Sequence, residues 1–279
     1  MGGLTAHIPP ILSQLLKGYL IIMGMKLEFS PRKAGFATMQ RTSAGWRLEL
    51  MAGPPRTYNL AQLDNYARIP RNRLKHAPLW TFQVRARASG EELPGTWGFG
   101  LWNDPFGLSL GFGGGHPGRL PTLPQTAWFM HASQPNWLSL RDDPERVPAN
   151  GFFAGTFRSP RIPSFLFAPG LLALLLCTIR PFSRFLRRLA SRIIQQDAAR
   201  VDLDVTQWHE YSIHWLQEGC VFSVDGNVVL RTSCSPVPPL GMVLWIDNQF
   251  AAWTPEGRLR YGTLGNNDAW MEIEKLTIQ

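Results

Sequence analysis

Charge is scarce in this chain of 279 residues, where only 17% are Asp, Glu, Lys or Arg. Acids are missing altogether between Pro105 and Arg141. With 44% hydrophobic residues, the low charge excludes general disorder and leaves ample material for a core. Cysteine is rarer still. Three residues, an odd number, exclude a disulfide framework. Cys220 and Cys234 flank a hairpin turning at Asp225–Gly226, where a two-residue turn would pair position 220 with 231 and leave 234 out of register. All three are therefore expected as free thiols in a reducing compartment. No Cys/His set stands at zinc spacing, and neither a phosphate-binding Gly-Lys-Ser/Thr loop nor Gly-x-Ser-x-Gly occurs. No metal or cofactor is expected, and nothing indicates a structural calcium ion. Uninterrupted apolar runs long enough to span a membrane are also missing. Residues 8–25 are mostly apolar but short for a membrane span, and they contain Pro9, Pro10, Gln14 and Lys17. They lack an early basic region and a small-residue cleavage site, so a signal peptide is not expected. A start at Met23 or Met25 is the alternative. The expected location is cytoplasmic, either free or peripheral on the inner face of the membrane.

What the chain does have is punctuation: 26 Gly and 23 Pro without a period cut it into short segments. "GWRLEL" (45–50) and "LWTFQVRARA" (79–88) alternate as half-buried strands do. "TWGFGLW" (96–102) carries aromatics at alternate positions. "TAWFMHAS" (126–133) and "GFFAGTFRS" (151–159) are continuously apolar over their middle residues, as expected of strands covered on both faces. "WHEYSIHWLQ" (208–217), "CVFSVDGNVVLRT" (220–232), "GMVLWIDN" (241–248) and "WMEIEKLTI" (270–278) continue the series. Short strands separated by turn signals predict an all-β antiparallel sandwich or jelly roll. Residues 1–35 are expected as an N-terminal extension and 36–279 as one domain.

Residues 161–199 interrupt the pattern. An apolar run over 165–179 precedes Arg180, Arg184, Arg187, Arg188 and Arg192, a window without acids. Without these five the net charge falls from +8 to +3, so the basicity is local. It favours an anionic surface over nucleic acid. At about 100° per residue, Ile179, Phe182, Phe185, Leu186, Leu189 and Ile193 share one face and the arginines the other. The expectation is a cationic amphipathic helix after an apolar turn or short helix. Either its apolar stripe packs on its own domain, or it lies in a membrane interface. In the second case Phe165, Leu166, Phe167, Leu171, Leu172, Phe182, Arg184, Phe185, Arg187 and Arg188 would make the contact.

The stretch "WHEYSIHWLQEGCVFSVDGNVVLRT", followed by Pro236 to Pro239 and Leu244-Trp245, resembles the late strands of concanavalin-like jelly rolls, in particular glycoside hydrolase family 16. "GTWGFGLW" (95–102) is similar to the strand before that family's catalytic one, and "MEIEKLTI" to its closing strand. The likeness covers roughly 40–160 and 200–279. It implies a concanavalin-like sandwich and a protein acting on or binding carbohydrate. The family cleaves with Glu-x-Asp-x-(x)-Glu on one strand, and a retaining mechanism needs two carboxyls about 5–5.5 Å apart. The matching strand here is "QTAWFMHAS", which places Thr126, Trp128 and His131 at those positions.

Candidate replacements are therefore drawn from polar residues set among aromatics. His131 is a candidate acid or base. Asp104, with Asn103, falls between Trp102 and Phe106, and Asp247-Asn248-Gln249 between Trp245 and Trp253. Asp142–Asp143 and Asp202-x-Asp204 read as turns, and "GFGGGHPG" (111–118) as a loop near the cleft. Trp97, Trp102, Trp128 and Trp245 form either a sugar-stacking platform or an apolar pocket. Three functions follow: a glycan-binding protein or altered glycosidase; an enzyme or binder of a hydrophobic molecule such as a lipid, isoprenoid or polyketide, with 161–199 as lid or membrane dock; or a plain interaction module.

Overall fold

A computed structural model describes residues 29–67, 69–105, 119–167 and 176–279. In chain order the strands are β1 (Ser30–Ala34), β2 (Ala37–Arg41), β3 (Gly45–Leu50), β4 (Leu60–Asp64), β5 (Trp80–Ala88), β6 (Thr96–Trp102), β7 (Thr126–Ala132) and β8 (Gly151–Arg158). They continue as β9 (Gln195–Arg200), β10 (His209–Leu216), β11 (Gly219–Val224), β12 (Asn227–Thr232), β13 (Gly241–Asp247), β14 (Gln249–Trp253), β15 (Leu259–Thr263) and β16 (Ala269–Ile278). One α-helix, α1 (Arg180–Ile193), is described. Two seven-stranded sheets stack as an antiparallel jelly-roll sandwich. The first runs β1-β4-β13-β6-β7-β8-β9 and the second β12-β11-β10-β5-β16-β3-β2, with β14-β15 as a separate ribbon.

The period of two in the strands decides what lies between the sheets. Phe82, Val84, Ala86 and Ala88 of β5 are buried there, whereas Arg85 and Arg87 point outward. The sheets lock through aromatic pairs. Tyr211 of the second sheet packs on Phe99 and Phe129 of the first at centroid distances of 5.0 and 5.1 Å, and Phe222 meets Phe129 at 5.5 Å. Edge and tilted geometries of this kind suit the ring quadrupole.

The β11–β12 hairpin turns on Asp225 and Gly226, both with positive φ (49° and 79°), the conformation a tight two-residue hairpin requires. Asp225 also accepts from the Glu210 amide and holds His209 Nδ1 at 2.6 Å, which accounts for part of the "WHEY" signature. A bulge between Phe222 and Ser223 shifts the register, so Cys220 pairs with Thr232 and not with position 231. The three cysteines are free and buried. Residues Ser30–Ala34, assigned by sequence to an extension, pair along β4 as an edge strand.

The helix packs on the domain the opposite way round from a core-facing stripe. Ser183 and Arg187 are its buried residues, while Ile179, Phe185, Leu189 and Ile193 are exposed. Phe182 and Leu186 are half-buried, and Arg180, Arg184, Arg188 and Arg192 are exposed. Phe165 and Leu166, in a short 3-10 turn, are exposed as well. Leu171, Leu172, Phe106, the 111–118 loop, residues 8–25 and the Phe167 side chain lie outside the described residues. No described helix is long and apolar enough to cross a membrane.

Candidate functional site

The outer face of the first sheet is the place to look for chemistry, because it holds most of the polar and aromatic candidates. Pairing registers align Gln62, Trp245, Gly98, Met130 and Phe153 in one row across β4, β13, β6, β7 and β8. The next row is Asp64, Val243, Gly100, Trp128 and Gly155. Gly98 and Gly100 make room for the large neighbours. A Cβ on Gly98 would come within 3.0 Å of the Trp245 ring, and one on Gly100 within 2.8 Å of Trp128 Cβ. Glycine at these two positions is thus a packing requirement.

Three indoles converge over this glycine strand. Trp102, Trp128 and Trp245 have centroid separations of 6.2, 6.3 and 5.7 Å, with Trp102 and Trp245 nearly parallel at 4°. Trp97 is not among them. It faces the inter-sheet core, stacked on His131 at 5.7 Å and Phe152 at 5.0 Å. The β7 register runs without a bulge, so His131 also points into the sandwich and Met130 shares the face of Thr126 and Trp128. His131 faces the Leu93 carbonyl at 3.2 Å, and burial lowers its pKa. It stands away from the outer-face residues.

The indole patch is covered. Each of the three tryptophans is 7–8% exposed, within a cluster that includes Met130, Phe153, Phe157, Val243 and Ile194. Leu123, Leu138, Leu140 and Ala190 of α1 pack on it. Two polar atoms within the patch have no hydrogen-bond partner, Thr126 Oγ1 and Trp128 Nε1, and both are buried. Two clefts open elsewhere: about 480 Å³ beside Glu92–Pro94 and Gly265–Ala269, and about 500 Å³ over the outer face of the second sheet near His214 and Lys275. Neither includes an indole of the patch.

Three carboxylates border the patch. Asp247 Oδ1 accepts from Thr96 Oγ1 (2.8 Å), Thr96 N (3.3 Å) and Gln249 N (3.2 Å). Trp245 Nε1 in turn donates to Thr96 Oγ1 at 2.9 Å. Burial pushes Asp247 up to about 7. The nearby Tyr58 hydroxyl is raised by its own burial and then by Asp247. Asp64, which the sequence did not single out, accepts from the Tyr66 and Ala67 amides and from Gln62 Nε2. Asp104, fully buried, is 2.7 Å from Arg119 Nη1, and Arg119 also donates to the Tyr66 carbonyl. Both Asp64 and Asp104 lie close enough to Tyr66 to raise its pKa, after burial.

Strand geometry keeps Asp247 away from the others. Asp64 pairs with Val243 and Asp247 with Leu60, four residues further along, which is about 13 Å at the usual rise. Asp104 lies beyond Trp102 at the far end of β6, whereas Asp247 pairs with Thr96 at its start, about 20 Å away. Neither separation suits the about 5–5.5 Å of a retaining pair or the about 6.5–9.5 Å of an inverting one.

The remaining candidates have structural partners. Asn248 donates to the Thr57 and Leu264 carbonyls and accepts from the Asn59 amide, which ties three loops together. Asn103 bonds the Leu123 carbonyl and the Gln125 amide. Gln249 uses its backbone amide to hold Asp247. Asp143 accepts two amides of its own turn. The alternation in "LAQLD" was the one signal that could have exposed Gln62 and Asp64, since both are polar positions of a fully buried strand. No group of three or more His, Cys, Asp or Glu among the described residues could hold a metal ion.

No family model matches the sequence, and no curated protein matches it either. Solved structures of similar architecture exist. A glycoside hydrolase family 16 endo-glucanase from Bacteroides ovatus is 10% identical over 90% of this chain and 94% of its own, with a TM-score of 0.47. LamAcat from Zobellia galactanivorans is 13% identical over 92% and 98%, with a TM-score of 0.42. The binding domain of botulinum neurotoxin DC, solved with rat synaptotagmin II, is 8% identical over 90% and 43%, with a TM-score of 0.41.

Proposed function

We propose that this protein binds a carbohydrate on the outer face of the first sheet and does not cleave it by the two-carboxylate route. The observation that carries this reading is the patch itself: three converging indoles with two buried polar atoms, Thr126 Oγ1 and Trp128 Nε1, left without partners. A sugar ring presents C–H faces for stacking and hydroxyls for both polar atoms. Against hydrolysis stand the carboxylate-free β7, the long separations of Asp247 from Asp64 and Asp104, and the structural engagement of the buried Asp64 and Asp104, which are held by the Tyr66 and Ala67 amides and by Arg119. A bound sugar has to displace side chains that cover the cluster, Leu123 and Leu138 among them, so binding is expected to be weak and slowly established.

The test is titration of laminarin and related glucans against tryptophan fluorescence, with reducing-end release followed in parallel. Quenching without release is expected. Trp128→Phe, which keeps an aromatic ring and loses the N–H, should weaken binding by about three- to tenfold. A flat response across a broad glycan panel would sink the reading. The apolar company of the patch, Met130, Phe157 and Val243, favours a second reading in which the ligand is a hydrophobic molecule. Displacement of a fluorescent fatty acid, sensitive to Trp128→Phe in a protein that ignores glycans, would establish that one instead.

A further inference from the structure

Helix α1 is oriented by its polar residues. Local signals are mixed: Pro181 suits the first turn and Arg192 the last, but the first turn lacks an acid and Arg180 sits at the end where the helix dipole disfavours a cation. What holds it is a set of contacts on one narrow face. Arg187 is 3% exposed, and its guanidinium lies in a cradle of carbonyls. Its Nε donates to Trp253 O at 2.9 Å, Nη1 to Leu140 O at 2.8 Å, and Nη2 to Ser139 O at 3.1 Å and Arg141 O at 3.2 Å. Asp142 Oδ1 pairs with it at 3.1 Å. One turn earlier, Ser183 Oγ accepts from Trp253 Nε1 at 2.9 Å. Four buried or half-buried carbonyls need donors, and a guanidinium supplies five N–H groups where an apolar side chain supplies none. Seating Arg187 there turns the apolar stripe outward.

The outward surface has two adjoining bands. At about 100° per residue, the docked face is centred on Ser183 and Arg187. Arg180, Arg184, Arg188 and Arg192 form a single exposed row beside it, four residues apart. Next come Phe185, Leu189 and Ile193 at 60%, 42% and 39% exposure, with Ile179 at 54%. The helix itself contains no acid.

We infer that this face docks on an anionic lipid surface, the helix lying in the plane of the interface. The apolar band enters the acyl boundary and the arginine row meets phosphate and carboxylate headgroups. At about 21 Å the helix is too short to span a bilayer. A second copy of the chain is the poorer occupant. A two-fold contact through the apolar band would bring two rows of four arginines together, with no acid on the helix and only Glu256 beside Arg184 to offset them. An anionic bilayer satisfies both bands at once.

The experiment is co-sedimentation of the full chain with vesicles of phosphatidylcholine alone and of phosphatidylcholine mixed with phosphatidylserine. Preferential binding to the anionic vesicles, weakened by salt, is expected. The double variant F185S/L189S should bind them at least about tenfold less, and so should R188Q/R192Q. All four side chains are exposed, so circular dichroism of both variants should match the parent. Equal binding to neutral and anionic vesicles would overturn the inference, as would unchanged binding of both variants. So would a parent that is dimeric by sedimentation velocity and becomes monomeric on F185S/L189S, because the covering surface would then be a second copy.

Discussion

The two outer faces of the sandwich solve the same problem in opposite ways. The face of the second sheet is solvated and held by ion pairs. Arg47 and Arg87 share Glu272 at 2.8 and 2.7 Å, Arg85 pairs with Glu274, and the arginines stack over Trp208 and Trp270. The face of the first sheet has become a second apolar core, closed by loops and by α1. The difference shows that a tryptophan's position on a strand decides its face, while its neighbours decide whether that face stays wet. Trp270 stands among arginines and remains half-exposed; Trp245 stands among glycine, Met130 and Val243 and is buried.

Paired substitutions test this contrast. Trp245→Ala should cost about 3–5 kcal/mol of unfolding free energy, as emptying a core does. Trp270→Ala should cost about 1 kcal/mol, the loss of an exposed cation–π contact. Equal costs by urea denaturation would dissolve the distinction between the faces.

Next in size is the pH dependence at Asp247. Its folded pKa, raised to about 7 by burial, exceeds the unfolded value of about 3.9. The folded state therefore holds the proton more tightly. Its contribution to stability is fullest below pH about 4 and falls away as pH rises towards 7. Asp247→Asn keeps an oxygen acceptor for Thr96 and Gln249, so it should match the parent near pH 4 and exceed it by a few kcal/mol at pH 8. A difference that does not vary with pH would contradict the burial of that carboxyl.

Arg187→Met tests where the first face borrows its cover. Removing the guanidinium strands the carbonyls of Ser139, Leu140 and Trp253, at a cost of about 2–3 kcal/mol. It should also raise protease cleavage within 180–193, read by mass spectrometry, and a helix as resistant as before would refute the anchor. The smallest effect belongs to the wet face. Glu272→Gln should change stability by about 1 kcal/mol or less, and that little should shrink further in high salt.

Much of the sandwich was legible from residue order. Alternation in 79–88 and the aromatic run of 96–102 placed β5 and β6 within a residue, and Asp-Gly placed the β11–β12 turn. Edge strands were harder. β1 and β2 are short and hold few apolar residues, so no apolar alternation marks them in the sequence. The site was legible only in part. Trp102, Trp128 and Trp245 lie together on the outer face, while Trp97 and His131 face the inter-sheet core. A bulge in β7 would have turned His131 outward, and strand composition does not reveal whether one is present. Asp64 and Gln62 were missed because two polar residues in a five-residue strand look like any exposed alternation.

By itself the order of residues determined most of the strands, the β11–β12 turn and the burial of apolar material with a period of two, because these depend on neighbours a few positions apart. Tertiary structure decided which of two chemically similar faces would dry out and which side of α1 would point inward. For the helix, hydrophobicity named one face and hydrogen bonding chose the other. Carbonyls from Ser139 to Arg141 and from Trp253 lie far apart along the chain, and only the folded domain gathers them into a place that a guanidinium fills better than a hydrocarbon.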